Sequence, residues 1–199
     1  SSYFLRMVSL YNFGDIDRRE VPVHEGEVVG VIGCGNVGMD AARTALRMGA
    51  KEVYVIYHKT ENEMSALRSE YEDAVAEGVK FLWRTATQEF ICDNNSGWIT
   101  GLKVDTPEGE KVLSFNRILL AIGSRPANRI VSTTTGIDVD SSGYVITKDR
   151  PYGMTTRKGV FAGGDVVHTP QTVVLAMKEA KKVAVGIAQY VDAKKLLGE

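Results

Sequence analysis

Residues 28–43 read Val-Val-Gly-Val-Ile-Gly-Cys-Gly-Asn-Val-Gly-Met-Asp-Ala-Ala-Arg, an apolar strand that enters a Gly-x-Gly-x-x-Gly turn and passes straight into a helix. Few architectures accept that string. Gly33 permits a sharp turn off the strand, Gly35 leaves room for a pyrophosphate against the backbone, and Gly38 lets the helix pack closely on the sheet. The helix then aims unpaired N–H groups and the positive end of its dipole at whatever the turn holds. The string alone is common. Its weight comes from context: a strand before it, a helix after it, and a second strand over residues 53–57 at the spacing of a dinucleotide-binding unit.

The same rhythm continues along the chain. The pattern predicts a first helix from 36 to about 48, closed by Gly49, and a second over 63–77 with Leu67, Tyr71, Ala74 and Val75 on one face and Gly78 at its end. A third strand is expected over 79–83. Alternation of this kind implies a parallel, doubly wound sheet with right-handed crossovers. After Thr85 the period shortens to two, and segments 89–92, 98–105 and 111–115 read as antiparallel strands joined by turn clusters at 93–97 and 107–109. Residues 117–123 return to a fully buried strand ending in Gly123. The polar, Ser/Thr-rich stretch beyond Pro126 marks a boundary, after which a buried strand over 160–162, the triplet Gly163-Gly164-Asp165 and a helix over 171–191 complete the chain. The opening, 1–20, contains a short apolar helical piece over 3–13. The expected fold class is α/β: a Rossmann-like, three-layer dinucleotide-binding domain built from a parallel sheet and an antiparallel β-meander.

Bulk properties exclude several classes. A net charge of −1 over 199 residues offers no broad attraction to nucleic acid or to acidic membranes. The apolar runs are too short to span a bilayer, and no signal peptide opens the chain. Cys34 and Cys92 lie far apart, with no Cys-x-x-Cys and no nearby histidine set, so reduced thiols and a cytoplasmic location are expected, with neither a disulfide nor a metal site. Cys34 reads as a small packed side chain in a variable position of the turn.

The residues just past the second strand meet the adenine ribose in a dinucleotide fold, where an acid selects NAD and basic residues accept the 2′-phosphate of NADP. Here the chain reads Tyr57-His58-Lys59-Thr60, with no acid until Glu61, which favours NADP(H) over NAD. Arg43 and Arg47, four apart on the first helix, can share a face, either contacting a ligand or simply facing solvent.

Beyond the generic fingerprint, residues 33–50 closely resemble the NADPH-binding segment of the glutamate synthase small-subunit family, flavoproteins with two dinucleotide-binding domains. Three further segments match in order. Glu63-Met64-Ser65-Ala66 resembles the family's Glu-Met-Pro-Ala, and Ala121-Ile122-Gly123-Ser124-Arg125-Pro126-Ala127 resembles its crossover between domains. Residues 156–165, ending in Gly163-Gly164-Asp165, resemble the C-terminal FAD motif, and Thr169-Pro170-Gln171-Thr172 resembles the helix start at the flavin's pyrimidine edge. There are departures. His58 and Lys59 stand where the family usually has two arginines, which admits dual use of NADH, and Ser65 replaces a proline.

The resemblance implies hydride transfer from NAD(P)H to FAD, with electrons leaving toward iron–sulfur centres or a partner subunit. Gly33, Gly35, Asn36, Val37, Gly38, His58 and Lys59 would hold NADP or NAD. Gly164, Asp165, Gln171 and Thr172 would face FAD, and Gly123, in the crossover between domains, is a further cofactor-binding candidate. The half-reaction requires no proton-transferring side chain, so no catalytic residue is assigned. The family's earlier Gly-x-Gly-x-x-Gly and its iron–sulfur cysteines have no counterpart here. The expectation is therefore a C-terminal fragment: a connecting segment over 1–25, an NAD(P)-binding domain over 26–126, and over 127–199 a partial FAD-domain remnant that binds FAD poorly alone. Apolar surface at the opening and on the last helix would then be exposed and would favour a homo-oligomer. The rival readings are a nucleotide-binding module with no chemistry of its own, and a disulfide reductase of the thioredoxin-reductase type, which the missing Cys-x-x-Cys opposes.

Overall fold

The computed structural model describes residues 1–124, 126, 129–169 and 172–198, which divide into two compact units, 1–123 and 124–199. The first unit opens with helix α1 (Ser2–Phe13) and continues with β1 (Val28–Ile32), α2 (Asn36–Arg47), β2 (Glu52–Ile56), α3 (Arg68–Ala76), β3 (Lys80–Leu82), β4 (Ala86–Cys92), β5 (Ile99–Thr106), β6 (Gly109–Ser114) and β7 (Arg117–Leu120). Strands β1, β2, β3 and β7 form a parallel sheet in the order β3-β2-β1-β7, and β4-β5-β6 form an antiparallel meander.

The continuous apolar runs of these strands have a direct cause, since both faces of the sheet are covered. Val29, Val31, Val53, Val55 and Leu119 point into a cluster with Phe4 of α1 and Met39, Ala42 and Ala45 of α2. The alternate residues Val28, Ile32, Tyr54, Ile56 and Ile118 meet Leu102, Val104 and Phe115 from the meander side. Three layers result: helices, parallel sheet, meander. Gly30 belongs to the second face, where an added Cβ would lie 3.3 Å from the Phe115 ring.

Several expectations need correction. The second helix begins at Arg68, not at residue 63, because Glu61–Glu63 form a single 3-10 turn and the chain then runs extended to Leu67. The backbone N–H groups of Ser65 and Ala66 are drawn off to the Cys34 carbonyl, at 3.2 and 3.1 Å. As a result Leu67 and Val75 are exposed, while Ala74 is buried and Tyr71 packs edge-on against Phe81. β7 is an edge strand, so only Leu119 of it is buried and Leu120 stays exposed. The opening helix does not simply present apolar surface: it buries Phe4 and Val8 in the core of its own unit and leaves Tyr3 and Phe13 exposed.

The second unit contains the short helix α4 (Arg129–Thr133), the hairpin β8 (Thr147–Asp149) and β9 (Tyr152–Thr155), and the long helix α5 (Val173–Leu197). The buried strand expected over 160–162 is instead half-buried and joins β9 through one isolated bridge, Met154–Phe161. α5 lies close on β9, where a Cβ on Gly186 would sit 2.1 Å from the Tyr152 carbonyl oxygen. It extends to Gly198, past the expected end at 191, and Lys194 and Lys195 favour its negative C-terminal end. Its exposed Val173, Val174, Met177, Val185 and Leu196 match the expectation of apolar surface on this helix. Among the described residues no helix is long and apolar enough to cross a membrane.

Candidate functional site

The glycine turn lies at the carboxyl end of β1, between β2 and β7, where the sheet's connections diverge to either side. Crevices of this kind accept ligands in open α/β sheets. Ile32 is level with Ile56 and Leu120, and hydrogen bonds from Gly33 N–H to Ile56 O (3.1 Å) and from Ala121 N–H to Ile32 O (2.8 Å) hold the end of the strand.

Each glycine of the turn answers a separate constraint. Gly33 has φ +114°, and a Cβ there would lie 2.4 Å from the Ala121 carbonyl oxygen. Gly38 passes over the same turn, its would-be Cβ 2.5 Å from the Gly33 oxygen. Gly35 is different. Its backbone is extended (φ −102°), and the only atom near a built Cβ is Ser65 Oγ, at 3.3 Å. No packing within the described residues demands a glycine there, so the space it leaves is space on the open side of the cradle.

Gly35 also serves as N-cap of α2, with no side chain to satisfy the first turn. The N–H groups of Gly35, Asn36 and Val37 find no acceptor among the described residues, and Val37 is exposed. An anion is the natural partner for such a set. The cradle is braced from outside: Asn36 Oδ1 accepts the Leu67 N–H at 2.8 Å, and Ser65 donates to Cys34 O through its backbone N–H. A proline at Ser65 could not make that second bond. Cys34 is 2% exposed, and burial, with help from the Glu61 carboxylate, pushes its thiol up to about 11. It is therefore a packed, unreactive group.

His58 and Lys59 are exposed just past β2, at the same carboxyl end of the sheet as the turn. Two acids lie beside them, Glu61 paired away and Glu63 keeping its charge near Lys59 and His58. Glu63 accepts from the backbone and hydroxyl of Thr60, which holds its carboxyl below the usual range, and Glu61 pairs with Arg68 at 2.5 Å. Tyr57, Trp83, Phe81 and Tyr71 form a connected aromatic group alongside, with Phe81 and Trp83 stacked at 5.3 Å.

Arg47 faces solvent, as one of the two expected roles has it, but Arg43 does not. Arg43, 18% exposed, is gripped by Glu70, Asp73 and Glu77 of α3 and the residue after it, and Arg47 also pairs with Glu77. They clamp one helix to the next. The acids repeat at spacings of three and four opposite the two arginines, a pattern that was present in the sequence. Arg47, then Arg43, holds the Glu77 carboxyl below its usual range. A depressed carboxyl pKa stabilises the fold above the unfolded-chain value of about 4.3, and that contribution is lost as pH falls below this value and through the folded-state pKa. Glu77→Gln should thus lower the Tm at pH 7 and shrink the drop in Tm between pH 7 and about pH 3. An unchanged acid profile would show that the clamp contributes nothing.

In the second unit, Gly164 (φ +75°) and Asp165 form a 3-10 turn (Gly164–Val166) against the first turns of α5, a Cβ on Gly164 lying 3.7 Å from that of Ala176. Thr172 caps α5 by accepting the Leu175 N–H at 3.3 Å. The Asp165 carboxylate is exposed, makes no hydrogen bond or ion pair among the described residues, and borders a cavity of about 740 Å3 lined by Val145, Thr155, Val160 and Phe161. Gly123 (φ +80°) ends the first unit in open space. Gln171 lies outside the described residues.

Comparison with known proteins places this geometry in a family. The model of the pyridine nucleotide-disulphide oxidoreductase family matches residues 9–180. The chain belongs to that family. Its relatives include the NADP(+)-dependent formate dehydrogenase subunit beta of Moorella thermoacetica, 35% identical across 88% of this chain and 27% of the relative. The glutamate synthase [NADPH] small chain of Escherichia coli (strain K12) is 30% identical across 92% of this chain and 43% of the relative. This chain thus spans less than half the length of either. Thioredoxin reductase of T. acidophilum shares the fold, with a TM-score of 0.73 at 22% identity over 85% of this chain and 54% of that one. The likeness to glutamate synthase small chains holds, as does the α/β fold class. NAD(P)H and FAD are the cofactors of the family.

Proposed function

We propose that the chain is the NAD(P)H-binding portion of a glutamate-synthase-like flavoprotein oxidoreductase. In this reading residues 26–126 form the NAD(P)-binding domain, 1–25 a connecting segment, and 127–199 part of the FAD-binding domain. The observation that carries it is the cradle at Gly33–Gly38: two glycines demanded by packing, a third demanded only by an occupant, and open N–H groups beyond it.

The bound cofactors supply the chemistry, a hydride passing from NAD(P)H to FAD and electrons leaving toward iron–sulfur centres or a partner subunit. The chain's own residues position them. The N–H groups of Gly35, Asn36 and Val37 hold the pyrophosphate; His58 and Lys59 face the adenine ribose. Gly123 leaves the backbone bare at the crossover. Asp165 offers an uncommitted carboxylate to a ribityl hydroxyl, and Gly164 and Thr172 shape the start of α5 beside the flavin. Self-association, or a partner subunit, on the exposed apolar residues of α5 belongs to the same proposal. The second reading, a nucleotide-binding module inactive by itself, draws support from the short span this chain covers of its relatives.

Titration with NADPH and NADH, followed through Trp83 and Trp98 fluorescence, tests the proposal. NADPH is expected to quench Trp83 and to bind at least about tenfold tighter than NADH, a difference of about 1.4 kcal/mol. Equal affinities would defeat the NADP preference, and absence of binding by either nucleotide would defeat the reading itself.

A further inference from the structure

Arg84 is the only non-glycine residue with positive φ (+51°) among those described. Such a conformation costs a side-chain-bearing residue of the order of 1 kcal/mol, and it persists where the surroundings impose it. Here they do. Beyond the end of β3 the chain runs beside the end of β2, with Arg84 N–H donating to Lys59 O at 2.9 Å and Thr85 N–H to Tyr57 O at 2.9 Å. The backbone of Arg84 is thus tied directly to that of Lys59. Packing does not explain the choice of an arginine: its side chain is exposed and has no hydrogen bond or ion pair among the described residues.

The charges around it matter as much. Glu61 is paired with Arg68, Glu63 stays ionised near Lys59 and His58 with its carboxylate bonded by Thr60, and the backbone tie sets Arg84 beside Lys59 where β2 and β3 end, so that the basic residues there outnumber the one unpaired acid. A site of this composition suits a compact dianion. Arg84 adds the planar, permanently charged fork that neither an imidazole nor an ammonium offers to a phosphate.

We propose that Arg84 determines nucleotide specificity, pairing with the 2′-phosphate of NADP(H) together with Lys59. This rests on the NAD(P)H-binding reading above. Arg84 is placed beside Lys59 from beyond the end of β3, through a backbone hydrogen bond across 25 residues that no local motif announces.

The test is calorimetric titration of the whole chain with NADPH and with NADH, for the wild type and for Arg84→Ala, Arg84→Gly and Arg84→Lys. Arg84→Gly keeps the left-handed backbone while deleting the side chain, so it separates the guanidinium from the fold. Both deletions are expected to weaken NADPH binding about tenfold, with NADH changed less than about twofold, and Arg84→Lys to recover part of the loss. If the wild type prefers NADPH and Arg84→Gly keeps that preference, or loses both nucleotides equally, this inference alone is overturned. If the wild type binds neither nucleotide, the underlying reading fails and this inference fails with it; if it binds both equally, the NADP preference and this inference fail while the NAD(P)H-binding reading stands.

Discussion

Gly33→Ala is expected to destabilise the first unit by about 3 kcal/mol or more, from two independent sources. The φ of +114° belongs to glycine, and the new methyl would stand 2.4 Å from Ala121 O and 2.8 Å from Ala121 C. These are backbone atoms of the neighbouring strand, fixed by the hydrogen bond from Ala121 N–H to Ile32 O, so no side chain can swing away to relieve the overlap. β1 and β7 would have to separate at the point where the cradle forms. Gly109→Ala supplies the control. Its φ is +108° and nothing lies within 4 Å of its built Cβ, so it reports the conformational cost alone. Urea denaturation of both variants should show a markedly larger loss for Gly33→Ala. Equal losses would mean that the approach of Ala121 is not rigid and that the turn owes its glycine to backbone conformation only.

How much of this was legible beforehand varies with the range of the forces involved. The strand–turn–helix could be read because its determinants lie within 22 contiguous residues, 28–49: an apolar run covered on both faces, glycines at fixed offsets, and Gly49 closing the helix with φ +91°. The start of α3 could not. Thr60 and Glu63 do form a capping box, a sound local sign of a helix, and a single 3-10 turn follows it. The chain then leaves the helix because the Cys34 carbonyl, about 31 residues away, takes the N–H groups of Ser65 and Ala66. Arg43 and Arg47 were visible as a pair, and Glu70, Asp73 and Glu77 were visible as a row, but facing them across α2 and α3 required knowing that these helices are neighbours. Arg84 gave no sign at all, since a left-handed residue is ordinarily signalled by glycine or asparagine.

Gly35→Ala should produce the opposite result to Gly33→Ala, and the contrast bears most directly on function. At φ −102° an alanine is unstrained, and the nearest atom to its methyl, Ser65 Oγ at 3.3 Å, is the end of a rotatable side chain. Alanine is a poorer N-cap than glycine, so a stability change within about 1 kcal/mol is expected. The methyl would nevertheless project over the open N–H groups at the start of α2, where a pyrophosphate must come within hydrogen-bonding distance. Affinity for NADPH and for NADH should therefore fall together, by about tenfold or more, at least about 1.4 kcal/mol. The parallel loss distinguishes this position from Arg84, whose substitution is expected to spare NADH. A Gly35→Ala variant that folds normally and binds both nucleotides as the wild type does would remove the physical basis for a phosphate at this turn. The fold permits a side chain at Gly35, so a bound phosphate is the remaining physical reason for the glycine.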